Sequence, residues 1–98
     1  MDNNKTIELT TIIKRNDTKF LANKLGEEMV MMNMGSGDFV SMNHVGADIW
    51  ELSAEPIAVS DLINRLLNLY AITIEQCTDE TLQFLRASMQ QGLFIINN

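Results

Sequence analysis

The 98 residues predict an α+β fold, a three-stranded antiparallel sheet followed by a three-helix unit. Three observations predict it. The front of the chain holds short apolar stretches broken by glycines, and the back holds repeats at helical spacing. Pro56 and Thr73 divide those repeats into three segments. The length suits one domain over residues 1–98, and with 46% hydrophobic residues the chain can bury a single core.

Residues 1–18 are expected as a loosely ordered N-terminal segment or, through TTIIK at 10–14, as an extra strand. FLANKL at 20–25 has strand character and stops at Gly26. EMVMMNM at 28–34, the Gly35-Ser36-Gly37 loop and DFVSM at 38–42 read as a hairpin with a short connection. Three short strands have little stability alone and need a helical layer over one face.

Asn43 is the expected N-cap of a short first helix with Val45, Ile49 and Leu52 on one stripe and Trp50 beside it. Pro56 separates it from the next helix, because the residue before a proline avoids the helical region. Leu62, Ile63, Leu66, Leu67 and Tyr70 mark the second helix. Thr73, with Gln76 three residues on, predicts a capping box for the third. Its stripe is expected along Ile74, Thr78, Leu82, Leu85 and Met89, with Gly92 ending it. LFII at 93–96 returns to the core as a strand or extended tail. Strands first and three helices after them resemble a winged helix-turn-helix.

The net charge of −6 is unevenly spread. Five bases and five acids cancel over residues 1–37, whereas residues 38–98 carry eight acids against Arg65 and Arg86. A surface of that sign repels phosphate backbones and anionic lipid, which argues against nucleic acid and membrane as partners. No apolar run approaches the ~20 residues that span a bilayer, and MDNNKTIELTT lacks the apolar stretch of a secretory signal. A single cysteine fits a reducing compartment. The expected location is cytoplasmic.

Catalytic chemistry is not visible. His44, the one histidine, has no partner signature, and no second Cys or His stands at ligand spacing to Cys77, which reads as a half-buried packing thiol. Asp48 with Glu51 and Asp79 with Glu80 read as solvated helix faces. GSGD at 35–38 lacks the Lys-Ser/Thr of a phosphate loop. The chain is therefore read as no enzyme, with neither cofactor nor metal. Met29, Met31, Met32, Met34, Met42 and Met89 read chiefly as adaptable core filling. Alternation forbids Met31 and Met32 from sharing a face, so one of them is free to form part of a pliable peptide-accepting surface.

The stretch from Met29 to Leu93 resembles the PqqD-like family of precursor-peptide recognition elements. The resemblance rests on Asn43, Gly46, Ile49, Trp50 and Leu52 in an N-x-x-G-x-x-I-W-x-L arrangement, on VSDLINRLLNLY at 59–70 and on QQGLF at 90–94. It covers about two-thirds of the chain in the right order. Two residues depart from the pattern. Ala58 stands where a Ser/Thr cap is common, and Ser88 where leucine is frequent.

The resemblance implies a non-catalytic adaptor. It would bind the leader segment of a ribosomally made precursor peptide by strand addition and present it to a modifying enzyme, a radical S-adenosylmethionine enzyme or a protease-cyclase system. Any iron–sulfur cluster would belong to that partner. Carried over, the peptide site falls on Phe39, Val40, Ser41 and Met42, facing Leu82, Leu85, Arg86 and Met89, with Arg86 placed to pair with an acidic leader residue. The rivals are a winged-helix DNA-binding module and a purely protein-docking adaptor. The first needs a basic recognition helix, whereas residues 73–91 hold Glu75, Asp79 and Glu80 against Arg86. An exposed edge strand also fits a monomer or a weak dimer.

Overall fold

A computed structural model of the chain describes residues 7–97. Residues 1–6 of the expected N-terminal segment, and Asn98, lie outside the described residues. The elements run β1 (Ile12–Arg15), β2 (Phe20–Leu25), β3 (Glu28–Asn33), β4 (Phe39–Met42), α1 (His44–Leu52), β5 (Ile57–Ala58), α2 (Val59–Leu69), α3 (Ile74–Gln90) and β6 (Phe94–Ile96). The fold is mixed α/β, with antiparallel sheets and three helices.

The strands make two sheets, ordered β2-β3-β4 and β5-β1-β6, which corrects the expectation of one. The second escaped sequence reading because β5 has two residues and β6 three, too few to show an alternating pattern. β1 is the extra strand anticipated near residues 10–14, but it pairs with β5 and β6 rather than beside β2.

Local chemistry sets the first sheet. Gly26 (φ 66°) turns β2 into β3, and Gly37 (φ 81°) lies in the β3–β4 loop, both in the left-handed region that glycine enters without a Cβ clash. In that loop the Asn33 side-chain oxygen accepts from the amides of Gly35 (2.9 Å) and Ser36 (3.2 Å). One face of the sheet then buries Phe20, Met29, Met31 and Met42. Met32 points the other way and is half exposed, as alternation requires.

The helices are held at their starts by two different means, a side-chain cap on α1 and α3 and borrowed carbonyls on α2. The Asn43 side chain accepts from the Gly46 amide at 2.9 Å, the expected cap of α1. α3 has its Thr73 cap, at 3.1 Å from the Gln76 amide, but the Gln76 side chain donates to Glu80 (3.0 Å). The predicted capping box is thus only half made. α2 has no side-chain cap at Ala58. Its first amides, of Val59 and Ser60, donate instead to the carbonyls of Thr11 and Leu9, each at 2.9 Å. The N-terminal segment does the work that a Ser/Thr at 58 would do.

Two helical stripes differ from expectation. On α1 the buried residues are Gly46, Ala47, Ile49 and Trp50, while Val45 and Leu52 are half-buried at the margin. On α3 the core runs through Cys77, Thr81, Leu85 and Ser88, and Ile74 is exposed. Small, weakly polar residues let α3 come close to α2: the Cys77 thiol sits 3.9 Å from both the Ile63 carbonyl and the Thr81 hydroxyl. Cys77 is accordingly fully rather than half buried. The centre of the core is Trp50, edge-on to Phe94 (centroids 5.8 Å) and covered by the Arg15 guanidinium at 5.4 Å.

Candidate peptide-binding edge

β4 is an edge strand of its sheet, as β2 is at the other side. The Asn33 amide donates to the Asp38 carbonyl at 2.8 Å, so 33 and 38 form a hydrogen-bonded pair. Such pairs alternate along an antiparallel ladder. With Met31 opposite Val40 and Met29 opposite Met42, these two pairs complete the ladder to β3. The amides and carbonyls of Phe39 and Ser41 therefore point outward, away from β3. Among the described residues no strand pairs with them.

The side chains of β4 divide by face. Met42 is 4% exposed and belongs to the core, and Val40 is half-buried against it. Phe39, 68% exposed, and Ser41 occupy the opposite face. There the register aligns Leu21, Met32 and Phe39 across the three strands, an apolar row open to solvent. The strand thus offers the main-chain groups of Phe39 and Ser41 outward and side chains to both faces.

On α3, Phe84, a residue outside the expected set, approaches the end of β4. A Cβ on Gly46 would lie 3.2 Å from both the Met42 Cβ and the Phe84 ring, so glycine is what lets strand, α1 and α3 converge. At about 100° per residue, Leu82 and Arg86 are about 160° round α3 from Phe84, and Met89 about 140°. Arg86 instead donates to the Ile7 carbonyl at 3.1 Å. Leu85 is wholly buried, and Leu82 and Met89 are half-buried against the core. The buried stripe of α3 lies one residue from the expected one, which passed over Phe84. The missed signal was Gly46 within a helical repeat, which marks a close approach.

Beyond β4 the surface opens into a cleft of about 270 Å3 between α1, the end of α2 and α3. Val45, Ile49, Leu66, Ile72 and Phe84 supply its apolar lining, and Asn43, Tyr70, Glu80 and Thr81 its polar one. Tyr70 donates a short hydrogen bond to Asp48 Oδ2, and its ring lies 5.7 Å from that of His44. Asp48 is therefore engaged rather than merely solvated.

Burial first, then the Asp48 carboxylate as acceptor and as charge, and the charge of Glu27 push the Tyr70 hydroxyl up from 10.0 to about 12. The folded chain holds this proton more tightly than the unfolded one. The associated stability is fully present below pH 10 and is lost as pH rises through about 12. Tyr70 is the sole tyrosine, so ultraviolet absorbance should show one phenol titrating near 12 in the native chain. A midpoint near 10.0, the value of a free phenol, would show that the Asp48 bond is not made.

No group of three or more His, Cys, Asp or Glu residues is placed to hold a metal ion among the described residues. No helix among them is long and apolar enough to cross a membrane.

The family model for coenzyme PQQ synthesis protein D matches residues 28–93. The chain belongs to the PqqD family. The match runs from β3 to the residue before β6, taking in β4, Gly46 and Phe84, so the convergence described above lies inside the PqqD segment, whereas β1, β2 and β6 lie outside it. The fold is similar to that of a solved structure described as TbiB1 in complex with the TbiA(beta) leader peptide. The two chains share 21% identity with a TM-score of 0.74, over 83% of this chain and 93% of that one. No curated protein matches the chain by sequence.

Proposed function

We propose that this PqqD-family chain is a non-catalytic recognition module. It binds the leader segment of a ribosomally made precursor peptide by strand addition along β4 and presents the peptide to a modifying enzyme. The observation that carries this reading is the outward-facing amide and carbonyl pattern of Phe39 and Ser41 on an edge strand. Strand addition draws affinity from such main-chain groups and specificity from alternate side chains. The similarity to TbiB1, whose structure holds a leader peptide, supports the same reading.

On this reading a bound leader continues the β2-β3-β4 sheet. Its alternate residues fall beside Phe39 on the open face and beside Val40 and Phe84 on the core side. Phe84 takes the part first expected of Leu82, Arg86 and Met89. Holding the leader while docked on a radical S-adenosylmethionine enzyme or a protease-cyclase raises the local concentration of the peptide core at that active site. The module works in the cytoplasm as a monomer or weak dimer. The winged-helix DNA-binding reading is disfavoured by the exposed Glu75, Asp79 and Glu80 on α3.

The test is a titration of isotopically labelled protein with a synthetic leader from a short peptide encoded beside its gene, followed by amide chemical shifts. Saturable shifts from Phe39 to Asn43 and at Phe84 are expected. Saturable binding that leaves those amides unmoved would refute addition along β4, and no binding at all would leave a protein-docking adaptor as the better account.

A further inference from the structure

The cleft past the end of β4 has a chemistry of its own. At about 270 Å3 it is smaller than the ~300–1,000 Å3 usual for small-molecule sites, which suits a single side chain. It begins at Asn43, the residue after β4, so a strand added along β4 leads into it. The lining is apolar at Val45, Ile49, Leu66 and Phe84, and the carboxylate at its rim is Glu80. Among the described residues no Lys or Arg lines the cleft, and a second carboxylate, Asp48, is hydrogen bonded to the rim residue Tyr70. Gln76 donates to Glu80 Oε2 at 3.0 Å, steadying the carboxylate while leaving its other oxygen able to accept.

An apolar cleft bordered by the exposed carboxylate of Glu80 matches a long-stemmed cation, which lays methylenes on apolar surface and keeps its charged head in water. We infer that the cleft accepts one arginine or lysine side chain of the bound peptide, its stem against Val45 and Phe84 and its head at Glu80. This rests on the reading of β4 as the peptide edge only for which chain supplies that side chain. It inverts the charge expectation attached to Arg86, whose guanidinium is engaged with the Ile7 carbonyl on the other flank of α3.

The cleft can be probed without any peptide. The full chain is titrated with n-butylguanidinium and, separately, with neutral n-butylurea of the same shape, following the methyl signals of Val45, Ile49 and Leu66. Saturable shifts with the guanidinium are expected, with binding roughly threefold weaker for the urea and for Glu80→Gln, the scale of an exposed ion pair. Equal binding of the two probes, equal binding by Glu80→Gln, or no shift at these methyls would overturn the assignment. Because the probes need no strand addition, failure of a leader to move the β4 amides would leave this result standing, and the converse also holds.

Discussion

Ser41→Pro is expected to weaken leader binding about tenfold or more while leaving the chain folded. The Ser41 amide faces the free edge and makes no ladder bond to β3, so its loss costs the sheet nothing in hydrogen bonding. Proline is tolerated on edge strands in this position, and Val40 before it is already extended. A bound strand, however, would lose one main-chain hydrogen bond, worth about 0.5–1.5 kcal/mol net, and would meet the pyrrolidine ring where it must approach. Val40→Pro is the contrasting variant, because the Val40 amide faces Met31 and its removal breaks the β3–β4 ladder. Calorimetric titration with a leader peptide, beside a thermal melt of each variant, separates the two. A Ser41→Pro chain that melts and binds as the parent does would mean that the peptide does not run along β4.

Trp50→Ala should be the most damaging single truncation in the core. The indole is 2% exposed, set edge-on to Phe94 and capped by Arg15. It joins α1 to both β1 and β6. Truncating a buried aromatic costs about 3–5 kcal/mol, a large share of the roughly 5–15 kcal/mol that holds a domain of this kind together. In a chain of this size each kcal/mol moves Tm by about 4–8 °C, so a fall of roughly 15 °C or more is expected by circular dichroism. A fall below about 5 °C would show that the surrounding side chains collapse into the space. Arg15 would lose its aromatic face as well as its partner for packing, and for that reason the upper part of the range is expected.

Sequence reading reached the β3–β4 hairpin because glycines bound it and because its length is enough to show alternation. The Asn43 and Thr73 caps were legible since capping is local: donor and acceptor lie within one turn. The phase of α3 was not. Hydropathy follows Ile74 and Leu82, but the helix buries Cys77, Thr81 and Ser88, whose value is small size rather than apolarity. Ser88, where leucine is frequent in the family pattern, is a buried residue whose carbonyl accepts from the amides of Gln91 and Leu93 to end the helix. Contacts across long separations were equally out of reach. Nothing near Ala58 in sequence announces that Leu9 and Thr11 hold the start of α2, and nothing near Arg86 announces Ile7. The four β4 residues of the candidate site came from the family resemblance rather than from the pattern, and Phe84 beside them was out of reach until the close approach at Gly46 was seen.

The pairing of β1 with β6 brings residues 12–15 alongside 94–96, and the Asn97 amide closes onto the Ile12 carbonyl at 2.7 Å. The first and last strands of the described fold therefore seal against each other, while residues 7–11 run on past α2 and α3 through the Leu9 and Ile7 carbonyls. This closure is made in the sheet that does not contain β4. The outward main-chain groups of Phe39 and Ser41 are not consumed by it, and the β2-β3-β4 sheet keeps a free margin.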